Sequence, residues 1–127
     1  MVRYKRSVGY DGGGQKRKGD MHETIQVSTT TATKADAERI AAALVEQRLA
    51  ACVQVSGPIH SCYRWQGEIE TAEEWLCSAK TTREAYDQVE QAIRELHSYD
   101  EPEIMAVPIV AGSAGYLAWL REQVGEE

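Results

Sequence analysis

A short polar segment in the last third of the chain carries the residue types best suited to chemistry. It combines an imidazole, a phenol and three carboxylates around one proline, in the order His97-Ser98-Tyr99-Asp100-Glu101-Pro102-Glu103. Histidine titrates near neutral pH and is the commonest metal ligand, and carboxylates favour cations. These residue types allow a cation site at a surface connection between a helix and a strand. They fit equally well a solvated acidic loop in which the proline ends the helix.

The length and composition predict one globular domain. A chain of 127 residues can bury a single core and is small enough to gain from assembly. No apolar run approaches the roughly 20 residues that cross a bilayer, and the N-terminus lacks the apolar stretch of a secretory signal. The three cysteines, Cys52, Cys62 and Cys77, are odd in number and lack CxxC spacing. We therefore expect reduced thiols in a cytoplasmic protein with no membrane partner.

The charge is unevenly distributed along the chain. Residues 1–20 contain six basic and two acidic side chains, a net charge of +4, so the remaining 8 basic and 18 acidic residues carry −10. An acidic body is a poor candidate for nucleic-acid binding, which needs a basic face. The basic tail contains Gly12-Gly13-Gly14 and few apolar residues, and is predicted to be disordered. Residues 21–127 are predicted to form the single domain.

Hydrophobic periodicity predicts the first half of the domain. A β-rich run over residues 24–29 precedes a helix over residues 35–48, with Thr33 or Thr31 as its N-cap. A long strand over residues 51–65 follows, with a bulge or bend at Gly57-Pro58. Gln66-Gly67 is a turn signal, and strand-like residues return from it to Lys80. We expect a long β-hairpin at the centre of the architecture.

The second half of the domain is predicted to add a helix, a fourth strand and a final helix. Thr81 or Thr82 is predicted to cap a second helix that ends near His97, and residues 104–110 form a fourth strand. Pro108 within that strand favours an edge position or a bulge. A short helix carrying Trp119 closes the chain. The predicted fold is α+β, a ferredoxin-like βαββαβ two-layer sandwich with an extra C-terminal helix.

Five segments in this order and spacing resemble the CutA family of divalent-cation tolerance proteins. The resemblance covers roughly residues 24 to 124. The segments are Arg48-Leu49-Ala50-Ala51-Cys52-Val53, Tyr63-Arg64-Trp65-Gln66-Gly67-Glu68, Lys80-Thr81, His97-Ser98-Tyr99-Asp100-Glu101-Pro102-Glu103 and Tyr116-Leu117-Ala118-Trp119. Membership implies a compact homotrimer of ferredoxin-like protomers, similar in outline to PII-like signal transducers. It also implies a link to tolerance of copper and other divalent cations.

The resemblance also suggests which residues form the site. His97 matches the family's histidine implicated in metal binding, and Asp100, Glu103 and Cys52 are the other candidate ligands. The two carboxylates can equally pair with Lys80 or Arg64, and a cysteine in an apolar run is usually a small hydrophobe. Subunit pairing would cover the edges of the long hairpin, and the inter-subunit clefts are predicted to gather Tyr63, Trp65, Lys80, His97, Tyr99 and Glu103. The predicted ligand cleft contains Tyr63, Trp65, Lys80, Tyr99 and Trp119.

A difference from the family pattern and the lack of catalytic motifs limit the chemistry that the sequence predicts. Some family members carry a cysteine near the end of the first strand, where this chain has Ser28-Thr29-Thr30-Thr31, so a soft copper site of that kind is in doubt. The chain has no GxSxG, P-loop or HExxH motif, and we expect no enzymatic activity. The leading hypothesis is a metal-response protein that binds copper or other divalent cations between subunits. The alternatives are a PII-like small-ligand sensor or adaptor and a trimeric scaffold with incidental metal contacts.

Overall fold

A computed structural model describes residues 23–125 as an α+β fold, which confirms the predicted class. The predicted tail over residues 1–20 lies outside the described residues. Four strands and three helices follow one another in the order β-α-β-β-α-β-α, with a 3₁₀ turn at Arg83–Ala85 before the second helix. The elements in chain order are β1 Thr24–Thr31, α1 Lys34–Glu46, β2 Cys52–Trp65, β3 Glu68–Thr82, α2 Tyr86–Leu96, β4 Ile104–Pro108 and α3 Ala114–Gln123.

The four strands form one antiparallel sheet in the order β2-β3-β1-β4. Strand β1 lies in the middle, with Val27 opposite Ala79 of β3 on one side and opposite Ala106 of β4 on the other. Strand β2 pairs with β3 from Cys52 opposite Lys80 to Trp65 opposite Glu68, with one interruption between Ser56 and Ile59. The outer half of this hairpin extends past the end of β1, which pairs only as far as Trp75.

The core lies between one face of the sheet and the two longer helices. Side chains alternate between the faces of a strand, so Ile25 and Val27 of β1 point to the same side. They are buried there with Ile40 and Leu44 of α1 and with Ile93 of α2. The alanine-rich helix α1 contacts β1, β2, β3 and α2, as expected for a helix that lies close on a sheet.

Local sequence signals set several of the boundaries. The Thr33 hydroxyl accepts a hydrogen bond from the Asp36 amide at 3.1 Å, which confirms Thr33 as the N-cap of α1. Gln66 and Gly67 both have positive φ, 51° and 83°, as a two-residue hairpin turn of type I′ requires. The β2–β3 register shifts between Ser56 and Ile59, which confirms the bulge predicted at Gly57-Pro58.

Other boundaries differ from the predictions. Thr81 and Thr82 belong to the end of β3, where Thr81 donates to the Leu49 carbonyl and the Thr82 side chain makes no capping bond. The second helix therefore begins through a 3₁₀ turn rather than at a threonine cap. Strand β4 ends at Pro108 and occupies the edge position that this proline favours.

Helix α3 is tied back to the loop after α1. The Arg48 guanidinium donates to the Gly125 carbonyl at 2.7 Å and to the Glu122 carbonyl at 2.9 Å. Arg48 itself has a positive φ of 58°, and its carbonyl accepts from the Gly125 amide. These bonds hold the C-terminal end of α3 against the main domain. Within residues 23–125, no helix has the length and apolarity to cross a membrane.

Candidate functional site

A cleft of about 630 Å³ opens where the outer half of the hairpin meets the loop between α2 and β4. Its size falls in the range of small-molecule sites. Strand β2 supplies one wall, the α2–β4 loop supplies the facing wall, and β1 and β3 each contribute one residue. The lining residues are Thr30, Ser61, Cys62, Tyr63, Trp65, Glu74, Tyr99, Asp100, Glu101 and Glu103.

A buried carboxylate and a phenol form the centre of the cleft. Glu74 of β3 is only 8 % exposed, and its Oε2 accepts a hydrogen bond from the Tyr99 hydroxyl at 2.8 Å. Burial, followed by this hydrogen bond to the carboxylate, raises the pKa of Tyr99 from 10.0 to about 12. The phenol therefore stays protonated at neutral pH and acts as a donor to Glu74.

His97 lies behind the cleft and supports its loop wall. Its Nδ1 accepts from the Tyr99 amide at 3.1 Å, so Nε2 carries the proton that is donated to the Thr30 carbonyl at 2.8 Å. The His97 ring also packs against the Tyr99 ring, with centroids 4.9 Å apart. Both ring nitrogens are thus occupied by backbone groups. A metal ion could reach either nitrogen only after one of these bonds was lost.

The rim of the cleft is acidic. Glu101 pairs with Arg94 at 3.1 Å, and Arg94 also pairs with Glu90 one turn earlier on α2. Hydrogen bonds to Glu90 and Glu101 raise the pKa of Arg94 above its ordinary value. Within residues 23–125, no lysine or arginine forms a salt bridge with Asp100 or Glu103. Two exposed carboxylates at the rim therefore form no salt bridge within the described part of the chain.

The structure brings five of the predicted site residues together and leaves four apart. Tyr63, Trp65, Tyr99, Asp100 and Glu103 all line the cleft, while His97 reaches it only through its contact with Tyr99. The other three do not line it, and they are Cys52, Lys80 and Trp119.

The three distant residues have partners of their own. Cys52 and Lys80 are cross-strand neighbours near the other end of the hairpin, and Lys80 donates to the Gln54 side chain. Trp119 lies on α3 and packs against Tyr116, with ring centroids 5.6 Å apart. Within the described part of the chain, the predicted candidates are thus divided among three places.

Sequence reasoning missed Glu74 and Cys62 as cleft residues. Glu74 precedes the half-buried Trp75 in a strand whose next residues are mostly buried or half-buried. A carboxylate is rarely buried without a partner, so its place beside these residues marks Glu74 as a candidate functional residue. Cys62 follows the bulge on β2 and is exposed. In the sequence, only its position next to Tyr63 points to the cleft.

The fold and the site together define a class of protein. The class is a small α+β protein with a long hairpin and an acidic, aromatic cleft at the base of the outer hairpin. The family described as CutA1 divalent ion tolerance protein matches residues 25–123. The chain therefore belongs to the CutA family of divalent-cation tolerance proteins.

Individual relatives agree with this assignment. The chain is 44 % identical over 105 residues to the divalent-cation tolerance protein CutA of Thermus thermophilus, covering 83 % of this chain and 100 % of the relative. It is 40 % identical to the protein of the same name from Archaeoglobus fulgidus, covering 82 % and 99 %. The solved structure of the divalent cation tolerance protein from Thermus thermophilus superposes with a TM-score of 0.79, at 44 % identity, covering 80 % of this chain and 99 % of that one.

The divalent cation implied by the family name does not fit a complete site in one protomer. Among residues 23–125, no three histidine, cysteine, aspartate or glutamate side chains are close enough together to hold a metal ion. Divalent transition metals in proteins usually need three or four such ligands. A cation at this cleft would need further ligands from a second subunit or from solvent.

Proposed function

We propose that the chain binds divalent cations, copper above others, between the subunits of a cytoplasmic homotrimer of ferredoxin-like protomers. The main observation in support of this proposal is the pair of rim carboxylates, Asp100 and Glu103, which share one cleft with the buried Glu74. The Cys62 thiol in the same lining adds a soft ligand, which suits copper better than magnesium or calcium. The cytoplasmic assignment is supported by three free cysteines.

Assembly is supported by exposed apolar side chains on the hairpin and on the edge strand. Trp65 and Ile69 beside the hairpin turn are 56 % and 68 % exposed, and Met105 of β4 is 50 % exposed. Edge strands and apolar hairpins of this kind favour association unless they are covered. A closed ring of protomers would cover them and would place a neighbour beside each cleft.

The trimer can be tested by measuring its mass. Light scattering of the full chain is expected to give three times the protomer mass, because hairpins paired between subunits bury more apolar surface than a monomer can. The variant Ile69→Asp places a charge on the exposed hairpin and is expected to shift the mass toward the monomer. The matched variant Val45→Asp, on the outer part of α1, is expected to remain a trimer. A wild-type monomer would contradict the proposed assembly.

Cation binding can be tested by calorimetry with Cu(II) and Zn(II). We expect saturable binding to the full chain. The double variant Asp100→Asn, Glu103→Gln is expected to bind at least about tenfold more weakly, because two negative charges are removed. The control double variant Glu38→Gln, Glu46→Gln removes the same charge from α1. Equal weakening in both double variants would show diffuse attraction rather than a site.

The role of His97 needs its own variant in the same titration. If the imidazole binds the metal ion, His97→Ala removes that ligand, whereas His60→Ala on the hairpin serves as the control. Unchanged affinity in His97→Ala would leave the histidine with the positioning role that its two backbone hydrogen bonds describe.

The aromatic walls support an alternative function as a small-ligand sensor or signalling adaptor of the PII-like kind. Tyr63, Trp65 and Tyr99 give the cleft more apolar surface than an ion alone requires. Under this proposal a bound molecule changes the hairpin or the α2–β4 loop, and a partner protein reads that change. Neither proposed function includes a catalytic step.

A further inference from the structure

Among the described residues, the charge on Glu74 has no cationic partner. The residue is 8 % exposed, and within residues 23–125 no salt bridge joins it to a lysine, arginine or histidine. Its one hydrogen bond comes from the neutral Tyr99 hydroxyl, although a carboxylate can accept about four. Burying an ionised carboxylate is costly unless it is paired. The other oxygen of Glu74 is therefore suited to accept from a positively charged ligand in the cleft.

The walls around Glu74 suit an organic cation. Tyr63, Trp65 and Tyr99 all line the same cleft, and the faces of tyrosine and tryptophan rings attract ammonium groups. A small, strongly hydrated metal ion gains little from such walls. An alkylammonium group gains from both the rings and the carboxylate, because its methylene groups are apolar and its charge is spread over several donors.

The charge of the cleft disfavours an anionic ligand. Among the described residues that line it, four are carboxylates and none is basic. Arg94 neutralises Glu101 from outside, which leaves Glu74 inside and Asp100 and Glu103 at the rim. The negative groups thus lie at different depths along one open cleft. That arrangement suits a flexible ligand with more than one positive charge.

We infer that this cleft binds an aliphatic polyamine, with one ammonium group on Glu74 between the aromatic rings and a second near Asp100 or Glu103. This goes beyond the proposed function, because it requires neither a metal ion nor a second subunit. The described residues of one chain supply no group of three metal ligands, so a divalent cation needs further ligands from a second subunit here, whereas the polyamine needs only the carboxylates and rings of one chain.

Spermidine is the probe for the first test, with the full chain and calorimetry at neutral pH and moderate salt. We expect saturable binding of one molecule per protomer to the wild type. The variant Glu74→Gln keeps an acceptor for the Tyr99 hydroxyl but loses the charge, and its affinity is expected to fall about tenfold or more. Glu46→Gln on α1 removes one charge elsewhere and is expected to change the affinity less than about twofold.

A second variant tests the aromatic wall independently. Trp65 is 56 % exposed in one copy of the chain, so Trp65→Leu removes the ring without opening the core, and light scattering establishes whether the variant keeps the mass of the wild type. We expect it to weaken spermidine binding about three- to tenfold, as the loss of one cation–π contact implies. Thermal unfolding of each variant establishes that it is folded, so that a loss of binding cannot be a loss of structure.

The outcomes separate this inference from the proposed function. Equal affinities in Glu74→Gln and Glu46→Gln, no saturable binding, or displacement of spermidine by equimolar Mg(II) would overturn the inference. Copper binding without spermidine binding would overturn it while leaving the proposed metal function intact. Spermidine binding that depends on Glu74 would support it even in a protein that binds no copper.

Discussion

Replacing Ile93 with alanine is expected to lower the free energy of unfolding by about 2–5 kcal/mol. Ile93 of α2 is 1 % exposed and belongs to the core cluster that joins both helices to the sheet. Removing three methyl or methylene groups there loses their transfer free energy and leaves a cavity in closely packed surroundings. Chemical denaturation at one fixed protein concentration measures the change, because the proposed assembly would add to the apparent stability.

Two further variants make this prediction specific. Ile93→Val removes one group and is expected to cost about 0.5–1.5 kcal/mol, so the loss should grow with the volume removed. Val45→Ala on the same layer of helices changes a side chain that is 44 % exposed, and its effect is expected to stay within about 0.5 kcal/mol. A loss in Ile93→Ala no larger than that in Val45→Ala would mean that α2 does not pack as described.

Features of the fold that depend on local sequence could be predicted from it. The Thr33 cap, the Gln66-Gly67 turn and the bulge at Gly57-Pro58 each follow from the conformational preferences of a few adjacent residues. The threonines at the end of β3 show the limit of such reasoning. Thr81 matches a helix cap by type, but pairing with β1 and a hydrogen bond to Leu49, 32 residues away, keep it in the sheet.

The candidate site could be predicted only in part, for the same reason. Tyr99, Asp100 and Glu103 lie within one short segment, so their proximity is visible in the sequence. Glu74 joins them through a contact across 25 residues, which no local pattern encodes. The family resemblance groups Lys80 with them, yet its register places it opposite Cys52 at the far end of the hairpin.

Alkaline pH is expected to destabilise the protein, and Cys77 should contribute most at the lower end of the alkaline range. Cys77 is 2 % exposed and donates its thiol proton to the Ala37 carbonyl. Burial raises its pKa from 9.0 to about 11. Since the unfolded thiol releases its proton first, the stabilisation is complete below about pH 9 and is lost as the pH rises to about 11.

Two tyrosines extend this loss to higher pH. Burial and the neighbouring Glu90 raise the pKa of Tyr86 from 10.0 to about 12, and the pKa of Tyr99 rises in the same direction. Their contributions are present below about pH 10 and disappear as the pH rises through about 12. The free energy of unfolding is therefore expected to be flat near neutral pH and to fall with increasing slope from about pH 9 to about pH 12.

The slope of the free energy of unfolding against pH, rather than its absolute value, identifies the titrating groups. A rise in the thiol pKa from 9.0 to about 11 corresponds to roughly 2.7 kcal/mol, so Cys77→Ala is expected to flatten the fall over that pH range by an amount of that order. Tyr99→Phe should flatten only the part of the fall between about pH 10 and about pH 12. Cys62→Ala, which removes an exposed thiol, should leave the slope unchanged. Denaturant titrations at half-unit pH steps measure all three, and a Cys77→Ala curve parallel to the wild type would show that the buried thiol is not the alkaline-sensitive group.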